Sequence, residues 1–238
     1  MNITLIGFMG AGKTAVGKRL AKRLGWQFVD VDALIEASAK STVAKIFAEH
    51  GEAVFRRLEK RVIRRVIRCR EQVIATGGGT FLDPVNQRLL KAVGPVVCLT
   101  AHPKTILQRV GPASSMRPLL AAEPTVSRIQ QLMTQRASDY AKADLTIDTT
   151  DLTSEEVAEK IWMQIGPWIS KSWQYLLKHH DKLTQRYGGQ YIAVLDDHIV
   201  AAGATHLQAY QAIRCPVPST CEVGIYYIPL AEESPIAL

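Results

Sequence analysis

The stretch Gly7-Phe8-Met9-Gly10-Ala11-Gly12-Lys13-Thr14 constrains this chain more than any other. It fits G-x-x-x-x-G-K-[ST], the Walker A pattern, which needs a strand before it and a helix after it. Asn2-Ile3-Thr4-Leu5-Ile6 is a short apolar run that reads as a buried strand, and Lys13 to Leu24 carries Val16, Leu20 and Leu24 on one helical face. Glycines let backbone N–H groups turn toward an oligophosphate, while the helix N-terminus adds partial positive charge. In that frame the backbone of Gly10, Ala11 and Gly12 cradles phosphates. Lys13 reaches the β- and γ-phosphates, and the Thr14 hydroxyl ligates Mg²⁺.

Strand and helix patterns alternate from there to about residue 165. Gln27 to Asp32, Gln72 to Thr76, Pro95 to Leu99 and Asp144 to Asp148 read as further strands, separated by helical stretches. Five strands alternating with helices predict an α/β fold, a parallel sheet covered on both faces. Ligands of such sheets bind beyond the carboxyl ends of the strands. The glycine-rich loop, the Asp30/Asp32 pair and Gly77-Gly78-Gly79 all fall there.

Gly166-Pro167 stops this pattern. Beyond it, Trp168 to Leu183 reads as one aromatic-rich helix, and Tyr191 to Leu195 and His198 to Ala202 flank Asp196-Asp197 as a hairpin. A helix from Leu207 to Ile213 and a strand from Val223 to Ile228 complete a small β-β-α-β module. The expected division is therefore residues 1–167 and residues 168–238.

With 238 residues the chain has room for one medium domain and such a module. The net charge of +7 is uneven, since residues 166–238 hold 5 Lys+Arg against 6 Asp+Glu and the basic excess lies in residues 1–165. Apolar runs are too short for a membrane span or a leader, so a cytoplasmic protein without membrane contact is expected. The four cysteines show no C-x-x-C spacing and read as reduced structural thiols. The six histidines show no metal-ligand spacing.

Asp30 and Asp32 lie two apart on what reads as a strand, which would point both side chains to one face. One carboxylate would orient a Mg²⁺ shell, and the other would take the proton of a substrate hydroxyl. Eight of the fifteen residues from Arg56 to Arg70 are Lys or Arg. Their helix carries Phe55, Leu58, Val62, Ile63, Val66 and Ile67 as its apolar stripe. Without interleaved aromatics or a recognition fold, this basic face reads as solvated, and no nucleic-acid partner is expected. Arg56 stands apart, because a guanidinium there can pair bidentately with a substrate carboxylate.

Taken with Phe28-Val29-Asp30-Val31-Asp32, Phe55-Arg56-Arg57-Leu58-Glu59, Thr76-Gly77-Gly78-Gly79, Arg117-Pro118-Leu119-Leu120 and Gln135 to Tyr140, the loop resembles shikimate kinase over about residues 1–165. The resemblance implies a P-loop kinase fold, with ATP and shikimate as small-molecule substrates, Mg²⁺ as cofactor, and a place in aromatic amino acid biosynthesis. It implies that Lys13, Thr14 and the Gly10–Thr14 backbone hold ATP, with Asp30 supporting the metal through water. Asp32 would bind the ring hydroxyls and act as catalytic base. Arg56 and Arg136 would clamp the carboxylate, Gly78 and Gly79 would let backbone N–H groups approach the ring, Arg117 would close on the transferring phosphoryl group, and Arg109 would flank adenine.

This chain departs from the family in having Ala37 to Ser41 where a Thr-Gly pair is usual, and Ser138-Asp139-Tyr140 where Pro-Leu-Tyr is usual. The first departure bears on turn geometry and the second on the placement of Arg136. The competing readings are a kinase of another small polyol such as gluconate, and a nucleotide-dependent regulatory protein. A protein partner, where there is one, is expected through the C-terminal module, in which nothing looks catalytic.

Overall fold

The computed structural model describes residues 1–111, 125–166, 171–213 and 223–230. The chain forms two compact units, Met1–Trp162 and Met163–Leu238. The first is built on a five-stranded, all-parallel sheet of order β2-β3-β1-β4-β5. Its strands are β1 (Ile3–Gly7), β2 (Gln27–Asp30), β3 (Gln72–Ala75), β4 (Val96–Thr100) and β5 (Leu145–Asp148). β1 lies at the centre between β3 and β4, and every one of its residues is buried. That burial on both faces is why Ile3-Thr4-Leu5-Ile6 reads as a continuous run rather than an alternating one.

Helices α1 (Lys13–Leu24), α2 (Val31–Ala39), α3 (Val43–Val66), α4 (Pro84–Lys91), α5 (Pro103–Val110), α6 (Val126–Tyr140) and α7 (Ser154–Ile165) flank the strands. Local chemistry sets several of their ends. Thr42 caps α3 by accepting from Lys45 N, Asp83 caps α4 with Pro84 in its first turn, and Gly25 closes α1 in the left-handed region at φ 66°. Gly51, at φ 75° and ψ 170°, kinks α3.

Two sequence expectations need correction. The strand read to Asp32 ends at Asp30, which caps α2 by accepting from the N–H groups of Asp32 and Ala33. Asp32 therefore sits in the first turn of a helix, and the two carboxylates do not share a strand face. On α3 the buried stripe is Phe55, Glu59, Val62, Ile63 and Val66, with the carboxylate of Glu59 in line where Leu58 is expected. The outward residues Arg57, Arg61, Arg64, Arg65 and Arg68 are exposed, in line with a solvated basic face.

The second unit has a three-stranded antiparallel sheet of order β7-β6-β8, from β6 (Gln190–Leu195), β7 (His198–Gly203) and β8 (Val223–Ile228). The β6–β7 hairpin turns at Asp196, whose φ of 53° suits an Asp in a tight turn. Leu176, Leu183, Ile192, Val194 and Ile228 form its buried core. Instead of one helix to Leu183, the described residues form α8 (Lys171–Lys178) and α9 (His180–Tyr187), parted at His179, with α10 (His206–Gln211) following β7. Trp168 lies outside the described residues, and Trp162 takes the guanidinium of Arg23 over its ring at 5.5 Å. Among the described residues no helix is long and apolar enough to cross a membrane.

Candidate active site

β1, β2 and β3 all deliver their carboxyl ends to one cleft of about 540 Å³, within the range of small-ligand sites. Its floor is the glycine-rich loop. Gly12 takes φ 96° as it turns the chain into α1, a conformation that a side chain would strain. Lys13 is buried, and its ammonium donates to the carbonyls of Gly7 at 2.8 Å and Phe8 at 2.9 Å. The Thr14 hydroxyl donates to Asp30 Oδ2 at 3.0 Å, so Asp30 spans the start of α2 and the start of α1.

Asp32 faces the same space. Its Oδ1 is buried and finds no hydrogen-bond partner among the described residues. Gly77 makes room for it, since a Cβ there would stand 2.8 Å from that oxygen. Burial, followed by the negative charge of Asp30, pushes the Asp32 carboxyl up to about 6, with Lys13 pulling the other way. An orphaned buried acceptor that titrates near neutrality fits a group that takes a proton from a ligand hydroxyl.

Two guanidinium groups also line the cleft. Arg56 pairs with both oxygens of the fully buried Glu59, at 3.1 and 3.0 Å, and with Glu52 at 2.9 Å. Burial works against the Arg56 charge, but Glu59 and Glu52 outweigh it and the net shift is upward. Thr80 donates to Glu59 at 2.7 Å. Gly79 carries no side chain because its Cβ would come within 2.4 Å of Arg56 Nη2. Arg136 is buried, lies over the Phe8 ring at 5.3 Å and donates to Gly78 O at 3.1 Å. The change to Ser138-Asp139 therefore leaves Arg136 firmly placed. The other departure, at Ala37 to Ser41, puts Lys40 in the left-handed region at φ 50° to close α2.

Every sequence-derived site residue among the described residues meets here: Gly10, Gly12, Lys13, Thr14, Asp30, Asp32, Arg56, Gly78, Gly79, Arg109 and Arg136 line the cleft, and Ala11 is buried in its loop. Arg109 donates to Thr149 Oγ1 at 2.9 Å and to Thr149 O at 2.6 Å, which ties it to the residue after β5. Arg117 lies outside the described residues. Three residues that the sequence motifs contain were given no role of their own: Glu59, Gly77 and Tyr140, whose hydroxyl reaches Gly78 O. A signal for the first existed, because Glu59 falls at helical spacing within the apolar stripe.

Among the described residues no cluster of three or more His, Cys, Asp and Glu could hold a metal by itself. One hydroxyl and one carboxylate beside a phosphate loop still suit Mg²⁺, which takes few protein ligands and shares substrate phosphates.

The cleft thus brings together a glycine-rich loop with a buried lysine, two guanidinium groups and the unpartnered oxygen of Asp32. That layout belongs to a P-loop kinase. The family model for shikimate kinase matches residues 9–166, and the chain belongs to this family. The shikimate kinase of Thermodesulfovibrio yellowstonii is 48% identical over 160 residues, covering 67% of this chain and 92% of that one. That of Caldanaerobacter subterraneus subsp. tengcongensis is 46% identical over 160 residues, covering 67% and 93%. Among solved structures, shikimate kinase from Acinetobacter baumannii in complex with shikimate is similar at a TM-score of 0.68 and 37% identity, covering 71% of this chain and 94% of that one. Residues 182–231 match a separate family of unknown function, DUF5678.

Proposed function

We propose that this chain transfers the γ-phosphoryl group of ATP to the 3-hydroxyl of shikimate, giving shikimate 3-phosphate and ADP for aromatic amino acid biosynthesis in the cytoplasm. The observation that carries the reading is the orphaned Oδ1 of Asp32, in the cleft that the phosphate loop, Arg56 and Arg136 also line. The family relationship supports it.

In this reading the loop backbone and Lys13 hold the ATP phosphates, and Arg109 flanks the adenine. Arg56 and Arg136 take the shikimate carboxylate, which fixes the ring with its hydroxyl toward Asp32. The hydroxyl proton passes to Asp32 as the new O–P bond forms and the bond to ADP breaks. Phosphoryl transfer has a loose transition state, so placement and cationic charge matter more than base strength. Thr14, and Asp30 through water, would hold Mg²⁺, which neutralises charge on the β- and γ-phosphates when bound.

Turnover of shikimate and gluconate, measured side by side, tests the assignment. Shikimate should win by at least about a hundredfold in kcat/KM, because a rigid ring holds its carboxylate and its hydroxyl at a fixed spacing for Arg56, Arg136 and Asp32, whereas the open chain of gluconate, though also a carboxylate, must be ordered to do so. Preference for gluconate would end it.

We further propose that residues 1–167 are the catalytic part and that residues 168–238 are an accessory module, the surface for any protein partner. A chain ended after Pro167 should then fold and keep kcat within about threefold, as expected of a separately cored domain. An unfolded or inactive product would make the second unit part of the kinase.

A further inference from the structure

The last turn of α6 grips the triple-glycine turn at a point that the functional reading leaves unused. Gly78 O accepts from the Tyr140 hydroxyl at 2.5 Å and from Arg136 Nη1 at 3.1 Å, which fills both lone pairs of that carbonyl. Tyr140 is buried. Burial also pushes its phenol up to about 12, so the hydroxyl stays protonated and donates throughout any working pH range. The peptide between Gly78 and Gly79 is planar and trans, so its carbonyl and its N–H point in opposite directions. Anchoring Gly78 O toward α6 therefore turns Gly79 N–H away from α6. Gly79 lies against Arg56, and no described group accepts from its N–H.

Resting on the proposed function, we infer that Tyr140 is a positioning residue for the acceptor substrate. With Arg136 it locks the Gly78–Gly79 peptide so that Gly79 N–H is aimed beside Arg56 as a donor to shikimate. Arg136 thereby has two tasks, one toward the substrate and one toward the turn, and Tyr140 allows its guanidinium to serve both. Around this point the turn is held by contacts that do not touch the Gly78 carbonyl. Gln87 Nε2 donates to Phe81 O at 2.7 Å and to Asp139 Oδ1 at 3.1 Å, and Asn86 Nδ2 donates to Thr80 O at 3.1 Å.

The test compares Tyr140→Phe with Gln87→Leu in the full-length chain. Tyr140→Phe keeps the ring and leaves Gly78 O with its Arg136 partner, so the fold should survive. The KM for shikimate should rise about tenfold, or about 1.4 kcal/mol, the scale of one hydrogen bond, with the KM for ATP unchanged. Gln87→Leu should lower Tm and leave the KM for shikimate near that of the parent. An unchanged KM for shikimate in Tyr140→Phe would overturn the inference, as would a rise in both KM values matched by Gln87→Leu. If the parent does not turn over shikimate, the proposed function fails and takes this inference with it. An active parent with an unaltered Tyr140→Phe removes the inference alone.

Discussion

Asp32→Asn should lower kcat for shikimate phosphorylation by about a thousandfold or more, within the range for loss of a positioned proton acceptor, while ATP binds with near-parental affinity. The amide keeps the shape but cannot take the hydroxyl proton. The Thr14 hydroxyl does not depend on it, since Asp30 and not Asp32 accepts from Thr14. The same variant should be more stable than the parent. Burial holds the folded-state carboxyl near 6 against an ordinary 3.8. Between about pH 4 and pH 6 the folded chain therefore keeps a proton that the unfolded chain has released. Asp32 thus takes stability away as pH rises through that window, and above it the loss is complete. It amounts to about 2–3 kcal/mol, which the uncharged Asn should recover. Thermal denaturation at pH 7.5 and at pH 4 checks this: Asp32→Asn should gain most at the higher pH. In the parent, kcat/KM should fall below about pH 6 as Asp32 becomes protonated. Full activity in Asp32→Asn would remove Asp32 from the mechanism.

Arg56 should show a different pattern, because its two partners have different roles. Arg56→Met should cut kcat/KM for shikimate by about a hundredfold or more, the scale for truncating one side of a paired charge contact. It should also destabilise the fold by about 3–5 kcal/mol, because Glu59 would be left buried and ionised without its cation. Adding Glu59→Gln removes that stranded charge. The double variant should regain most of the lost Tm and none of the lost shikimate affinity. Recovery of both would mean that Arg56 acts only as the counter-ion of Glu59.

The central sheet and the phosphate loop were readable because local signals agree with the tertiary outcome there. An apolar run, a Walker A pattern and an amphipathic helix each demand what the others supply. Asp30 and Asp32 were read onto one strand because they lie two apart in the run Gln27 to Asp32. The competing signal, an Asp that caps the helix following it, prevailed. Both carboxylates reach the cleft at the strand ends as expected, but as a helix cap and a first-turn residue and not from one strand face. Glu59 and Tyr140 were missed for another reason. The pairing of Glu59 with Arg56, three residues before it, is local, but Thr80 lies 21 residues from Glu59 and Gly78 lies 62 from Tyr140, and no local pattern shows those two pairs. In the second unit the hairpin was legible from its turn, whereas the break at His179 was hidden within a continuous helical pattern.

The most direct test of the account is ADP release by the full-length chain, measured with shikimate as the sole acceptor. The account predicts release that requires shikimate, matches it mole for mole and leaves the phosphate on the 3-hydroxyl. ADP release at the same rate without shikimate, or none in its presence, would contradict it.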